Sequence, residues 1–230
     1  QKKLMRNNIF EHQYKSILMD TLVNGDLTDN RTKIKTYKVF NKTLNINLKY
    51  GFPIVTGKKV FFEKALAEFR WIYEGKTDLK YLNDNGVTWW DDFAIENKLG
   101  KVYGYQIKKF NGVFNQIDYV LKEIKNNSRR AVITLWNPTD FRSSDMFLGL
   151  PYDIIVGALF LIEIAKECNL EPSILGINLA DAHIYETHKE QVKEYNRLPV
   201  YTLPDLVGNY KNYSLQEYKS NKCIKAKLVL

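Results

Sequence analysis

The sequence predicts an α+β protein in which a mostly buried mixed sheet is covered by helices. Three observations carry that expectation. Runs with the 3.6-residue apolar spacing of helices are interleaved with runs of period two. Residues 154–168 are apolar almost all round, and such a helix must be covered on most sides. Finally, 230 residues, 45% of them hydrophobic, can bury one substantial core. No repeat, low-complexity tract or linker divides them, so a single domain over residues 1–230 is expected.

Each element follows from its local pattern. Over residues 12–24, Tyr14, Ile17, Leu18 and Leu22 share one stripe, predicting an opening helix that Gly25 ends. The polar run 29–33 is a loop. Tyr37, Val39, Leu44, Ile46 and Leu48 then alternate as in a half-buried strand pair. Gly51-Phe52-Pro53 is a turn, and residues 61–74 form a helix through Leu66, Phe69, Trp71 and Ile72. An aromatic loop at Trp89-Trp90 precedes a helix over 119–125 and a buried strand over 131–136. The apolar helix 154–168, a strand over 174–179 and a helix over 184–195 complete the order.

Composition narrows the function. No apolar run is long enough to span a bilayer, and the start Gln1-Lys2-Lys3-Leu4-Met5 is basic without an apolar signal region behind it. Two cysteines, Cys168 and Cys223, make no disulfide framework, so a reducing cytoplasm is the expected setting. A net charge of +8 favours an anionic partner such as phosphate, folate or nucleic acid. The lysines are scattered rather than gathered on one face, which argues against nucleic acid.

The groups suited to chemistry are few. Guanidinium forks and hydroxyls are the usual grip on phosphate. They occur here as Arg31 in a loop, as Arg129-Arg130 before a strand (where a solvated edge is the plainer reading), and as Arg142-Ser143 before a Gly-Leu-Pro turn. The segment 142–153 sets an arginine, two hydroxyls and the carboxylate of Asp145 just ahead of the apolar helix, as suits a small anionic ligand. Asp181-Ala182-His183-Ile184-Tyr185 puts an imidazole and a phenol two residues apart, an arrangement that is more often structural. Glu68, among Leu66, Phe69 and Trp71, is either an exposed acid or a buried one that must be paired or have a raised pKa.

Taken together, these motifs resemble the thymidylate synthase family over nearly the whole chain. Asn30-Arg31-Thr32 followed by Gly51-Phe52-Pro53-Ile54-Val55-Thr56 is similar to the family's phosphate loop and next strand. Ala67-Glu68-Phe69-Arg70-Trp71 resembles its glutamate-bearing helix, Val87-Thr88-Trp89-Trp90-Asp91 its folate-contacting loop, and Val102-Tyr103-Gly104 its active-site tyrosine. Ser128-Arg129-Arg130 resembles the arginine pair lent across a homodimer interface, and Ile224-Lys225-Ala226 the closing tail.

The resemblance implies a thymidylate synthase-like fold and an enzyme that moves a one-carbon unit from 5,10-methylenetetrahydrofolate, a cosubstrate, to C5 of dCMP or dUMP without a metal. It implies that Arg31, Arg142 and Ser143, with Arg129 and Arg130 of a second copy, hold phosphate, and that His183 and Tyr185 hold the sugar. Asp153 would read the base, Glu68 and Tyr103 would organise water and proton transfers, and Trp90 and Asp145 would face the folate.

Two departures matter. Asp153 stands where the family's uracil reader is an asparagine; phage-type deoxycytidylate hydroxymethylases share the aspartate, so dCMP is the expected substrate, with dUMP the alternative. The second departure is at 141–142, where Trp136-Asn137-Pro138-Thr139-Asp140-Phe141 runs straight into Arg142. The family's Pro-Cys-His nucleophile segment, and chain for about two strands of 5–6 residues, are missing there. Losing central strands would expose sheet edges, so the expectation is that this segment belongs to the protein and is absent from the sequence. A true deletion would leave a nucleotide-binding pseudoenzyme. Phe61, Lys33 and Lys35 are lesser departures near the folate and phosphate loops.

Overall fold

The computed structural model describes residues 8–96, 98–135 and 144–229. In chain order its elements are α1 (Ile9–Asn24), β1 (Asp26–Thr28), β2 (Thr36–Asn47), α2 (Phe62–Tyr73), α3 (Leu79–Asp84), α4 (Tyr103–Lys109), α5 (Gln116–Lys125), β3 (Ser144–Asp145), α6 (Leu150–Glu167), β4 (Ile174–Tyr185), α7 (Lys189–Arg197), β5 (Asp205–Val207) and β6 (Ser214–Gln216). They fall into two compact units. The first holds the described residues up to Phe61, those from 144 to Ala158, and those from Ser173 on; the second holds the rest.

The first unit is built on a four-stranded sheet of order β1-β2-β4-β3. β1 and β4 flank β2 antiparallel, and β3 runs parallel to β4. The class is therefore α+β with a mixed sheet, as the sequence predicts. Burial is uneven: residues 182–185 of β4 and Leu44 and Ile46 of β2 are buried, whereas Phe40 is 60% and Ile174 58% exposed. The expected strand pair over 37–48 is instead one twelve-residue strand, β2, whose partners come from elsewhere in the chain. The expected helix over 184–195 is also corrected. Thr36 and Tyr37 pair with Tyr185 and Ile184, so the strand continues to Tyr185 and the helix starts only at Lys189, after a 3-10 turn.

Helix α1 begins three residues earlier than expected, at Ile9, because Asn8 caps it by accepting from the Glu11 N–H. Its buried stripe is Phe10, Tyr14, Leu18 and Thr21. At its end a Cβ on Gly25 would collide with the Thr21 carbonyl and the backbone of Lys38, so only glycine fits.

In the second unit α2 buries Leu66, Ala67, Glu68, Phe69, Trp71 and Ile72. Asn115 caps α5 by accepting from the N–H groups of Ile117 and Asp118, which starts that helix three residues before 119. The buried strand expected over 131–136 does not form in its described part: residues 131–135 are unpaired with any strand, and Val132 is 66% exposed. The Gln116 side chain satisfies this backbone instead, accepting from Thr134 N–H and donating to Thr134 C=O at 2.8 and 2.7 Å.

The first unit is tied together by one acid. Glu11 is fully buried, and its carboxylate accepts from the Thr56 N–H and hydroxyl, the Gly57 N–H, the Tyr195 hydroxyl and the Asn8 amide at 2.5–2.9 Å. Removing it would leave several buried donors without an acceptor, each costing about 1–3 kcal/mol. Glu11→Ala is therefore expected to lower the unfolding free energy by about 3–5 kcal/mol in urea titrations. A loss below about 1 kcal/mol would mean that water replaces the carboxylate at no net cost.

Candidate functional site

The first unit brings His183, Tyr185 and Asp145 together at the end of the sheet, with Arg31 near enough to act on the Tyr185 hydroxyl. Thr36, Lys38 and Phe40 of β2 stand opposite Tyr185, His183 and Asp181 of β4, and Asp145 of β3 is in register with His183 on its other side. His183 is buried, lies edge-on to Tyr185 at 5.2 Å, and has its Nδ1 3.6 Å from Asp181 Oδ1. Burial lowers the His183 pKa; the carboxylates of Asp145 and Asp181 oppose that shift, and Lys38 adds to it. Burial raises the Tyr185 hydroxyl, Asp145 adds to this, and Arg31 opposes it. Arg31 itself is exposed, in a turn shaped by Asn30, whose side chain accepts from Thr32 N–H and hydroxyl and donates to Ile34 C=O.

The Gly-Leu-Pro turn is held from two directions. Asp145 Oδ1 accepts from the N–H groups of Phe147 and Leu148 at 2.9 and 3.3 Å. Lys58, 5% exposed, donates to the Phe147 carbonyl and sits 3.9 Å above its ring. Burial brings the Lys58 pKa down to about 8, with Asp145, Cys223 and Glu11 opposing. Sequence reasoning passed over Lys58, although a lysine inside the run Ile54–Val60 was the available signal. Asp153 is exposed on the first turn of α6.

The second unit holds the other acid. Glu68 is 9% exposed and its Oε1 accepts from the Trp90 indole at 2.6 Å and the Trp89 indole at 3.3 Å. Of the two readings open for Glu68, the buried one is found. Burial raises its pKa and the two indole donors only partly offset this. Trp90 packs against Trp71, Phe93 and edge-on against Tyr103, so Glu68, Trp90 and Tyr103 form one cluster. Trp89 is the more exposed indole.

Arg129 and Arg130 are exposed after α5, where Ser128 Oγ accepts from Arg130 N–H and Tyr119 donates to the Arg130 carbonyl. Arg142, Ser143, the 136–141 stretch and the 141–142 junction lie outside the described residues, as does the 1–5 start. Cys168 is half-buried just past α6 and Cys223 is exposed in the tail. That tail returns to the first unit: Asn221 donates to the Thr56 and Pro199 carbonyls, and His188 Nε2 is 2.7 Å from the Lys227 carbonyl. Among the described residues no three His, Cys, Asp or Glu side chains gather as a metal site, and no helix is long and apolar enough to cross a membrane.

Comparison with known proteins identifies the family. The family model described as thymidylate synthase matches residues 12–142 and 139–229, two stretches that meet at the junction singled out above. Thymidylate synthases from the Dugway 5J108-111, RSA 331 (Henzerling II) and RSA 493 (Nine Mile phase I) strains of Coxiella burnetii are each 33% identical over 243 residues. The alignment covers 91% of this chain and 92% of each relative. That span exceeds the chain's own 230 residues, so it steps over residues of the relatives that have no counterpart here.

The geometry around Glu68 makes a graded prediction. Trp90→Phe removes the shorter hydrogen bond and is expected to raise the Glu68 pKa further, with Trp89→Phe raising it less, in a carboxyl 13C titration. A larger effect from Trp89 would reverse the assignment. Because its native pKa is raised, Glu68 contributes stability that is fully present below the unfolded carboxyl range and is lost as pH rises through the native value.

Proposed function

The chain belongs to the thymidylate synthase family, and from that premise we propose that it transfers a one-carbon unit from 5,10-methylenetetrahydrofolate to C5 of a deoxypyrimidine monophosphate, preferentially dCMP. The observation that carries the choice of dCMP is the carboxylate at Asp153, exposed on the first turn of α6. An asparagine there accepts from uracil N3–H and donates to O4. Cytosine reverses that edge, with an acceptor at N3 and a donor at N4. A carboxyl group accepts from the N4 amine and completes the second bond when it or N3 carries the proton. A mismatched edge leaves buried groups unpaired at about 1–3 kcal/mol each.

In this reading the phosphate is held by Arg31, Arg142 and Ser143, with Arg129 and Arg130 supplied by the second subunit of a homodimer. The exposure of Arg129 and Arg130 suits groups that serve a partner. His183 and Tyr185 hold the sugar hydroxyl. Glu68, kept protonated more readily than an ordinary carboxyl, and Tyr103 organise water and move protons near the base. The folate supplies the carbon to be transferred. Trp90, whose N–H is committed to Glu68, would offer it a ring face, and Asp145, whose Oδ1 caps the following turn, would offer Oδ2.

The reaction needs a thiolate to add to C6 before C5 becomes nucleophilic, and the segment that carries this cysteine in the family has no counterpart between 141 and 142. That absence favours a second reading, a nucleotide-binding pseudoenzyme. The relatives' name, thymidylate synthase, favours a third, in which dUMP is the substrate despite Asp153.

Calorimetric titration distinguishes the substrates: dCMP is expected to bind about tenfold or more tightly than dUMP, with Asp153→Asn reversing the order. Tighter dUMP binding by the unaltered protein would remove the dCMP assignment. Release of tritium from the C5 position of labelled dCMP would eliminate the pseudoenzyme; binding without release would establish it.

A further inference from the structure

Across the sheet of the first unit, one row of side chains is made of titratable groups. Asp26 of β1 is in register with Lys38 of β2, Lys38 with His183 of β4, and His183 with Asp145 of β3. Residues directly opposite in an antiparallel pair share a face and lie within side-chain reach. Lys38 is therefore the basic neighbour of His183 at the proposed sugar site. One step along, Phe40 stands opposite Asp181, and the Lys38 ammonium lies 5.9 Å from the Phe40 ring centroid. The groups around the imidazole are then Lys38 on β2, Asp181 and Tyr185 on β4 itself, and Asp145 on β3.

We propose that Lys38 is a substrate-positioning residue that keeps His183 neutral and so sets how the site engages a sugar hydroxyl. This rests on the nucleotide reading above. A sugar hydroxyl is donor and acceptor at once. A neutral imidazole whose Nδ1–H is directed toward Asp181, 3.6 Å away, presents the Nε2 lone pair to the hydroxyl proton. The hydroxyl oxygen then accepts from Tyr185 or from the Lys38 ammonium. A protonated imidazole has no lone pair to offer and cannot make the first of these bonds. Asp145 and Asp181 both favour protonation; Lys38 and burial oppose it. Burial is the larger of the two opposing effects, and Lys38 is the one cation among these neighbours that adds to it.

The test uses the full chain, which has only three histidines, followed by imidazole NMR against pH. Lys38→Met is expected to raise the titration of His183 while His12 and His188 stay in place, and Lys38→Arg is expected to restore it. In dCMP titrations from pH 6 to 8, Lys38→Met should lose about threefold or more affinity at the acid end relative to the alkaline end, beyond the change seen in the unaltered protein. Phosphate ionisation is common to both proteins and cancels in that comparison. An unmoved His183 titration in Lys38→Met, or an affinity profile parallel to that of the unaltered protein, would overturn the proposal. If neither dCMP nor dUMP binds the unaltered protein, the nucleotide reading fails, while the His183 titration still decides the coupling to Lys38.

Discussion

The buried carboxylate of Glu11 is the interaction on which the first unit most depends. It sits on α1, but its acceptors organise chain far away in sequence: Thr56 and Gly57 ahead of α2, and Tyr195 on α7. The Thr56 hydroxyl, fixed by Glu11, in turn accepts from the Tyr201 N–H, and the Thr56 carbonyl accepts from the tail at Asn221. One side chain therefore sets the run that ends in Lys58, and Lys58 pins the Phe147 carbonyl in the turn before α6. A buried charge is tolerable only when its lone pairs are filled by donors that cannot leave, and here nearly all of them belong to backbone or to rigid aromatic and hydroxyl groups.

Glu68 shows the contrary case. It is buried as Glu11 is, but only two indole N–H groups are recorded on its carboxyl, both on Oε1. Burial then wins and the pKa rises. The same residue type thus serves as a fixed structural acceptor in one environment and a group that readily holds a proton in the other. Which of the two a glutamate becomes depends on the number and charge of its donors, and spacing along a helix carries no information about that.

This explains what the sequence made legible. Periodicity located α1, α2, α5 and α6 because each buries an apolar stripe that any packing must respect. It failed over 131–135, the described part of the expected strand, where a run of β-branched and apolar residues looks like a strand but is held at Thr134 by the Gln116 side chain. It failed again at 184–195, since Ile184 and Tyr185 suit helix or strand equally and only pairing with Thr36 and Tyr37 decides. Of the site, Arg31, His183, Tyr185, Asp145, Trp90 and Glu68 were visible as motif residues. Lys38 and Lys58 were not, because their significance lies in register and burial, which are properties of the folded chain.

The position of Asp153 bears on how a base would be read. It lies in the first turn of an eighteen-residue helix, at the end where the aligned peptide dipoles are positive. Negative charge is favoured there, and a carboxylate accepts hydrogen bonds without donating any. Uracil meets such a group with one donor at N3 and one acceptor at O4, so the second oxygen faces a lone pair. Cytosine offers its amine, and its N3 completes the pair by taking up a proton, which the adjacent carboxylate stabilises. In the proposed reading, an ionised Asp153 would select by repulsion as much as by attraction. The proton on N3 also withdraws electrons from the ring, which makes C6 more open to addition by a nucleophile. Base choice and activation of the ring would then follow from one carboxylate placed at one helix terminus.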